Sequence, residues 1–141
     1  ALEPRTSLGR LRVLLAEDNA VNQRVAVRML ERLGCVVDVA ADGLGAIEAW
    51  ERGRHDVVLM DLQKPGVDGL EATASIRARE SQRGTRVPIL ALTASAADED
   101  RNRCIEAGMD DCLTKPIQSA ILEAALERWV PAPGDGTTVA G

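Results

Sequence analysis

Glu17, Asp18, Asp61, Thr93 and Lys115 each stand where a short apolar run rich in branched side chains stops. If those runs are parallel strands of one sheet, the five residues meet along a single edge. Three carboxylates in one crevice repel one another, by about 4 kcal/mol for a pair ~4 Å apart at an effective dielectric near 20. They therefore call for raised pKa values or a bound cation. Oxygen ligands with room for water suit Mg²⁺, and Mn²⁺ by the same chemistry. No His or Cys stands at these run ends, which argues against zinc. The Thr93 hydroxyl and the Lys115 ammonium can meet a phosphoryl oxygen from the other side. A carboxylate held between cation and ammonium can attack phosphorus and form an aspartyl-phosphate. Asp61, central among the runs, is the best placed to do so. Taken singly, Asp18 reads as a helix cap, Asp61 as a turn residue, Thr93 as a surface hydroxyl and Lys115 as a solvated charge. Their joint occurrence at the run ends outweighs those readings.

The elements needed to position them alternate along the chain. Apolar runs at 11–16, 36–40, 56–60, 87–92 and 111–114 read as strands. Between them lie helical patterns. The first, over about 20–33, places Val21, Val25, Met29 and Leu33 on one face, with Asn19 as N-cap and Gly34 in the left-handed position after the helix. The second starts at Asp42-Gly43, carries Ala46, Ile47 and Trp50, and closes near Gly53. The third runs through Leu70, Ala74 and Ile76 until Ser81–Thr85 breaks it. The fourth spans 96–107, and the last, after Pro116, carries Ile117, Ile121, Leu122, Ala125, Leu126 and Trp129. Lys64 to Gly69 reads as a loop. Strand–helix alternation predicts an α/β fold: a doubly wound, five-stranded parallel sheet of order 2-1-3-4-5, a flavodoxin-like three-layer sandwich. In that order the crevice opens between strands one and three, where Glu17-Asp18 and Asp61 end.

The 141 residues suit one core, and 45% hydrophobic with 28% charged residues argues against a disordered chain. A net charge of −5 without a long basic stretch argues against direct nucleic-acid binding. No apolar run reaches membrane-span length, so no membrane insertion by this segment is expected. Cys35, Cys104 and Cys112 fit neither a zinc pattern nor a disulfide framework and read as reduced thiols of a cytoplasmic protein. His55 reads as a surface or capping residue, and Trp129 as a core or partner contact. The chain starts at Ala, as expected of a processed chain or an excised piece of something longer. The division expected is an N-terminal extension over 1–9, a domain over 10–130, and a flexible tail or linker over 131–141.

Leu14 to Asn19, Val57 to Asp61 with Pro65 and Asp68-Gly69, Leu90 to Ala94, Gly108 to Asp111 and Thr114-Lys115-Pro116 together resemble a response-regulator receiver domain of two-component signalling. Glu17 to Gln23 is most similar to the receivers of hybrid sensor histidine kinases. The resemblance implies that Asp61 accepts a phosphoryl group from phosphohistidine on a histidine kinase or phosphotransfer domain. It implies that Asp18, Asp61 and the backbone carbonyl of Gln63 bind Mg²⁺, with Glu17 acting through water. It implies that Thr93 closes on the phosphoryl group, that Lys115 pairs with it, that Lys115-Pro116 is a cis peptide, and that Gln63 and Ser95 tune phosphoryl lifetime. Such a domain catalyses its own phosphorylation and dephosphorylation; any histidine kinase activity lies outside this chain, whether or not that kinase is membrane-bound. Weak homodimerisation is a further expectation. Two residues depart from the family pattern. Cys112 replaces the Tyr or Phe that shares the switch with Thr93, and Lys64 replaces a Met beside the site. Cys112 motivates an alternative, a degenerate receiver that only docks. A flavin or phosphatase enzyme is disfavoured, because acids stand where a phosphate-cradling loop would be and no D-x-D pair closes strand one.

Overall fold

The computed structural model describes residues 11–53, 55–62, 69–93 and 98–130. Five strands, β1 (Arg12–Ala16), β2 (Val36–Ala40), β3 (Val57–Asp61), β4 (Ile89–Thr93) and β5 (Asp111–Thr114), alternate with α1 (Ala20–Arg32), α2 (Gly43–Arg52), α3 (Gly69–Arg83), α4 (Asp98–Ala107) and α5 (Ser119–Trp129). The strands pair in parallel in the order β2-β1-β3-β4-β5, as expected from the alternation. Side chains alternate between the two faces. Val13, Leu15, Val57, Leu59, Leu90, Leu92 and Leu113 pack against α1 and α5 through Ala26, Leu30, Leu122 and Leu126. Leu14, Ala16, Val58, Met60, Ile89 and Ala91 pack against α2, α3 and α4 through Ala46, Ile47, Trp50, Ala72, Ile76 and Cys104. Both faces of β1, β3 and β4 are covered, which is why these strands read as continuous apolar runs.

Several expectations change in detail. The buried face of α1 is Ala26 and Leu30, with Val27, Met29 and Leu33 at its margin; Val21 and Val25 are 66% and 47% exposed. Apolar residues four apart drift around a helix, because 3.6 residues make a turn. β2 is an edge strand with Val36 and Val39 exposed, not a run buried on both sides. Ala74 and Ile121 face solvent. β4 starts at Ile89, since Pro88 has no N–H to give to a ladder. α3 continues to Arg83 and ends at Gly84. Asn19 caps α1 by accepting from the Asn22 amide at 2.9 Å, and Gly34 is left-handed at φ 93°, both as expected. The Lys115-Pro116 peptide is cis. The His55 imidazole is not on the surface: its side chain is 1% exposed and its Nε2 lies 2.8 Å from Asp38 of β2. Residues 1–10, 63–68, 94–97 and 131–141 lie outside the described residues, and with them the expected extension, tail, Lys64 loop and start of the fourth helix.

One polar cluster ties α3 to the start of β4 and to the turn before β5. Arg77 donates to the Val87 carbonyl at 2.7 Å, the Gly108 carbonyl at 2.9 Å, Glu80 at 2.7 Å and Asp110 at 2.9 Å. Glu80 is buried and also accepts from the Val87 amide at 2.6 Å. Asp110 accepts from the Ile89 amide at 2.9 Å. Replacing Arg77 leaves the Glu80 carboxylate buried without its cation, so Arg77→Ala is expected to cost about 3–5 kcal/mol in urea unfolding. A loss under ~1 kcal/mol would show that the cluster is no more than a surface ion pair.

Candidate functional site

The site lies at the carboxyl end of the sheet, where β1 and β3 part towards β2 and β4. β3 carries Asp61 as its last residue, and the ladder goes one step further through the Leu62 amide to the Leu92 carbonyl at 3.1 Å. That bond holds the backbone of Asp61 rigid. Gly69, the first residue of α3, closes over the same strand end. A Cβ there would lie 2.8 Å from Met60 Cγ and 3.0 Å from the Asp61 carbonyl, so only glycine lets the helix approach so near. Glu17 follows β1 and is fixed on three sides. Its amide donates to the Ala40 carbonyl at 3.0 Å, its carbonyl accepts from the Gln23 side chain at 2.6 Å, and its carboxylate accepts from the Asn19 amide at 3.1 Å.

Lys115, just after β5, reaches across β4 to both acids. Its Nζ donates to Asp61 Oδ2 at 2.9 Å and to Glu17 Oε1 at 3.2 Å. The Lys115 amide donates to the Thr93 carbonyl at 2.7 Å, which locks the end of β5 to the end of β4. Asp61 is 1% exposed and Glu17 2%, whereas Asp18 is exposed. One carboxylate oxygen each of Glu17, Asp18 and Asp61 lies within 4.8 Å of the others, a cluster able to hold a divalent cation. The hard oxygen donors and the solvent access at Asp18 suit an ion that keeps part of its water. Thr93 is buried and pairs in register with Thr114, one step beyond the Asp61–Leu92 pair.

Burial raises the Glu17 carboxyl above its ordinary value, helped by the hydrogen bond and charge of Asp61; the Asn19 amide and Lys115 pull the other way and do not offset it. Burial by itself would lower the Lys115 ammonium, but its bonds and attraction to Asp61 and Glu17 outweigh that and leave it raised. Both remedies for crowded carboxylates, a raised pKa and a cation, are thus present within the chain.

Asp61, Glu17, Asp18 and Lys115 are therefore brought together as expected, and Thr93 stands beside them. Gln63 and Ser95 lie outside the described residues. Cys112 is not in this cluster. It sits three residues before Lys115 and turns to the opposite layer, its sulfur 3.2 Å from that of Cys104. Gln23, the side chain that anchors the backbone of Glu17, was not singled out by its chemistry; its place six residues after Glu17 on the first turns of α1 is the only signal for it.

The pattern and geometry have counterparts. The family model for the response regulator receiver domain matches residues 13–127. The sensor protein GacS of Pseudomonas syringae pv. syringae is 40% identical over 119 residues, covering 84% of this chain and 13% of that protein. Hybrid signal transduction histidine kinase B of Dictyostelium discoideum is 39% identical over 118 residues, covering 77% of this chain and 6% of that protein. The chain thus spans a small part of the curated relatives it matches. The receiver domain of sensor histidine kinase PA1611 from Pseudomonas aeruginosa PAO1, solved with a magnesium ion coordinated in its active-site cleft, superposes with a TM-score of 0.77 at 49% identity, over 86% of this chain and 98% of that one. The co-crystal structure of the Saccharomyces cerevisiae phosphotransfer protein Ypd1 with the receiver domain of its response regulator Ssk1 gives a TM-score of 0.82 at 32% identity, over 86% of this chain and 90% of that one. No described helix is long and apolar enough to cross a membrane.

The raised Glu17 carboxyl has a measurable sign. The folded state holds that proton more tightly than the unfolded state, so stability from this group is greatest at low pH and falls as pH rises from the unfolded value towards the folded one. In metal-free buffer, Glu17→Gln should therefore gain on wild type as pH rises from about 4 to 8, measured by urea unfolding. A stability difference that stays constant across that range would contradict the raised pKa.

Proposed function

The chain belongs to the response-regulator receiver domain family, and from that premise we propose that Asp61 is its phosphoacceptor, fed by a phosphohistidine. The observation that carries this reading is the Lys115 ammonium held 2.9 Å from a buried Asp61 carboxylate, with Asp18 and Glu17 at the same mouth. A buried aspartate paired with a lysine ammonium, beside two further acids, is placed to act as a nucleophile on phosphorus. Its oxygen attacks phosphorus, and the bond to the imidazole nitrogen breaks, leaving histidine. Asp18, Asp61 and the carbonyl of residue 63 would hold Mg²⁺, with Glu17 reached through water; Mn²⁺ fits the same oxygen donors. Bound there, the ion supplies positive charge to the phosphoryl oxygens. Lys115 supplies the matching charge from the β5 side, and the Thr93 hydroxyl supplies a hydrogen-bond donor from β4.

Phosphorylation replaces one carboxylate charge by about −2. Lys115 must then leave its present pairing for the phosphoryl oxygens, and it draws on Thr93 through the 2.7 Å bond between their backbones. The domain shifts between two arrangements of β4, α4 and β5, and that face changes its contacts. The phosphoryl donor is a histidine kinase or phosphotransfer domain, a reading supported by the relatives and by the Ssk1 receiver crystallised with Ypd1. Exposed Val21 and Val25, on the first turns of α1 beside Asp18, offer such a donor an apolar footing. Three thiols outside any disulfide support a cytoplasmic setting. The docking-only alternative draws on Cys112 alone, while the phosphoacceptor reading is supported by Asp61, Glu17, Asp18 and Lys115 lying together at one mouth.

With acetyl phosphate and Mg²⁺, the intact protein should gain the mass of one phosphoryl group, and Asp61→Asn should gain none. Labelling of Asp61→Asn at wild-type level, or an unlabelled wild type, would overturn the assignment.

A further inference from the structure

We infer that Cys104 and Cys112 form a reversible intramolecular disulfide that ties α4 to β5. The two sulfurs are 3.2 Å apart, one on the last turn of α4 and the other on the second residue of β5. A disulfide needs ~2.05 Å between sulfurs, so the approach still required is small beside the reach of a side-chain rotation. The two residues are eight apart along the chain, joined through the turn at Gly108. They share one packed layer with Ile76, Ala91 and Met109, which holds both sulfurs in place.

Their unequal burial assigns their parts. Cys112 is partly exposed and meets the oxidant; Cys104 is fully buried and resolves it. With hydrogen peroxide, the Cys112 thiolate sulfur attacks one peroxide oxygen, the O–O bond breaks, and the departing hydroxide leaves as water after taking a proton. The Cys104 sulfur then attacks the sulfur of the Cys112 sulfenic acid. The S–O bond breaks, and that hydroxide takes the Cys104 proton and leaves as a second water. Two thiols lose two electrons and two protons, and the peroxide becomes two waters. A dithiol reductant reverses the link by exchange. Cys35 does not compete. It lies in the opposite layer, and burial, with the Asp56 charge behind it, pushes its thiol up to about 11.

The link would fix α4 against the strand that leads to Lys115. Cys112 pairs in register with Ala91, two residues before Thr93. Its bearing on signalling rests on the phosphoacceptor reading; its formation and its hold on α4 do not, and the test reads those two in unphosphorylated protein.

The protein is treated with hydrogen peroxide, denatured without reductant, alkylated and digested. The expected result is one alkylated thiol, Cys35, in place of three, a peptide joining Cys104 to Cys112, and return to three after dithiothreitol. Amide exchange in α4 of the oxidised, unphosphorylated protein should be slower than in the reduced protein. Cys112→Ser should lose the link, and Cys35→Ser should keep it. Sulfinic acid at Cys112 without the joined peptide, a link through Cys35, or only dimers between chains would overturn the proposal. So would unchanged exchange in α4 once the link has formed.

Discussion

The Lys115 ammonium, bonded at once to Asp61 and Glu17, is the constraint on which the site depends. Two carboxylates almost out of solvent cannot both remain ionised side by side without a cation between them. Each contact to the ammonium offsets a repulsion of order 4 kcal/mol at an effective dielectric near 20. The arrangement is still unbalanced. Three acids and one ammonium sum to −2 when all are ionised, and the uncompensated charge lies on the Asp18 side, open to solvent. The same imbalance that makes the cluster costly to the fold makes it receptive to a divalent ion.

The sheet makes that constraint possible. Lys115 is 54 residues from Asp61 and 98 from Glu17, yet parallel strands bring all three chain segments to one edge. Each is held by its backbone. Glu17 is bonded to Ala40, Leu62 to Leu92, and Lys115 to Thr93, so the ends of neighbouring strands are pinned to one another beside the charges. A change in what Lys115 binds is therefore passed directly to the ends of β4 and β5. There the Cys112 sulfur, two residues along β5 from Thr114, meets Cys104 of α4.

The strand order, the convergence of Glu17, Asp18, Asp61 and Lys115, and the caps at Asn19 and Gly34 were legible because each depends on local pattern. Strands stop at chemistry-bearing residues, and a parallel sheet leaves one edge for them. What was not legible depends on partners distant in sequence. Val21 and Val25 look like core by spacing, but α1 presents Ala26 and Leu30 to the sheet, and only the packing decides which flank of an apolar stripe is covered. Arg77 and Glu80 look like an ordinary helix pair; their weight comes from Val87, Gly108 and Asp110. His55 reads as a surface residue until β2 brings Asp38 to it. Cys104 and Cys112 read as scattered thiols, and they meet because a helix and the following strand fold back on each other.

The central claim is that Lys115 acts as the internal counter-ion of the same carboxylates that take the metal. Calorimetric titration of Mg²⁺ into wild type and Lys115→Met tests it most directly. Removing a positive charge from beside the ion should tighten Mg²⁺ binding several-fold, about 1 kcal/mol or more. Equal affinities, or weaker binding in Lys115→Met while it remains folded, would contradict a shared pocket.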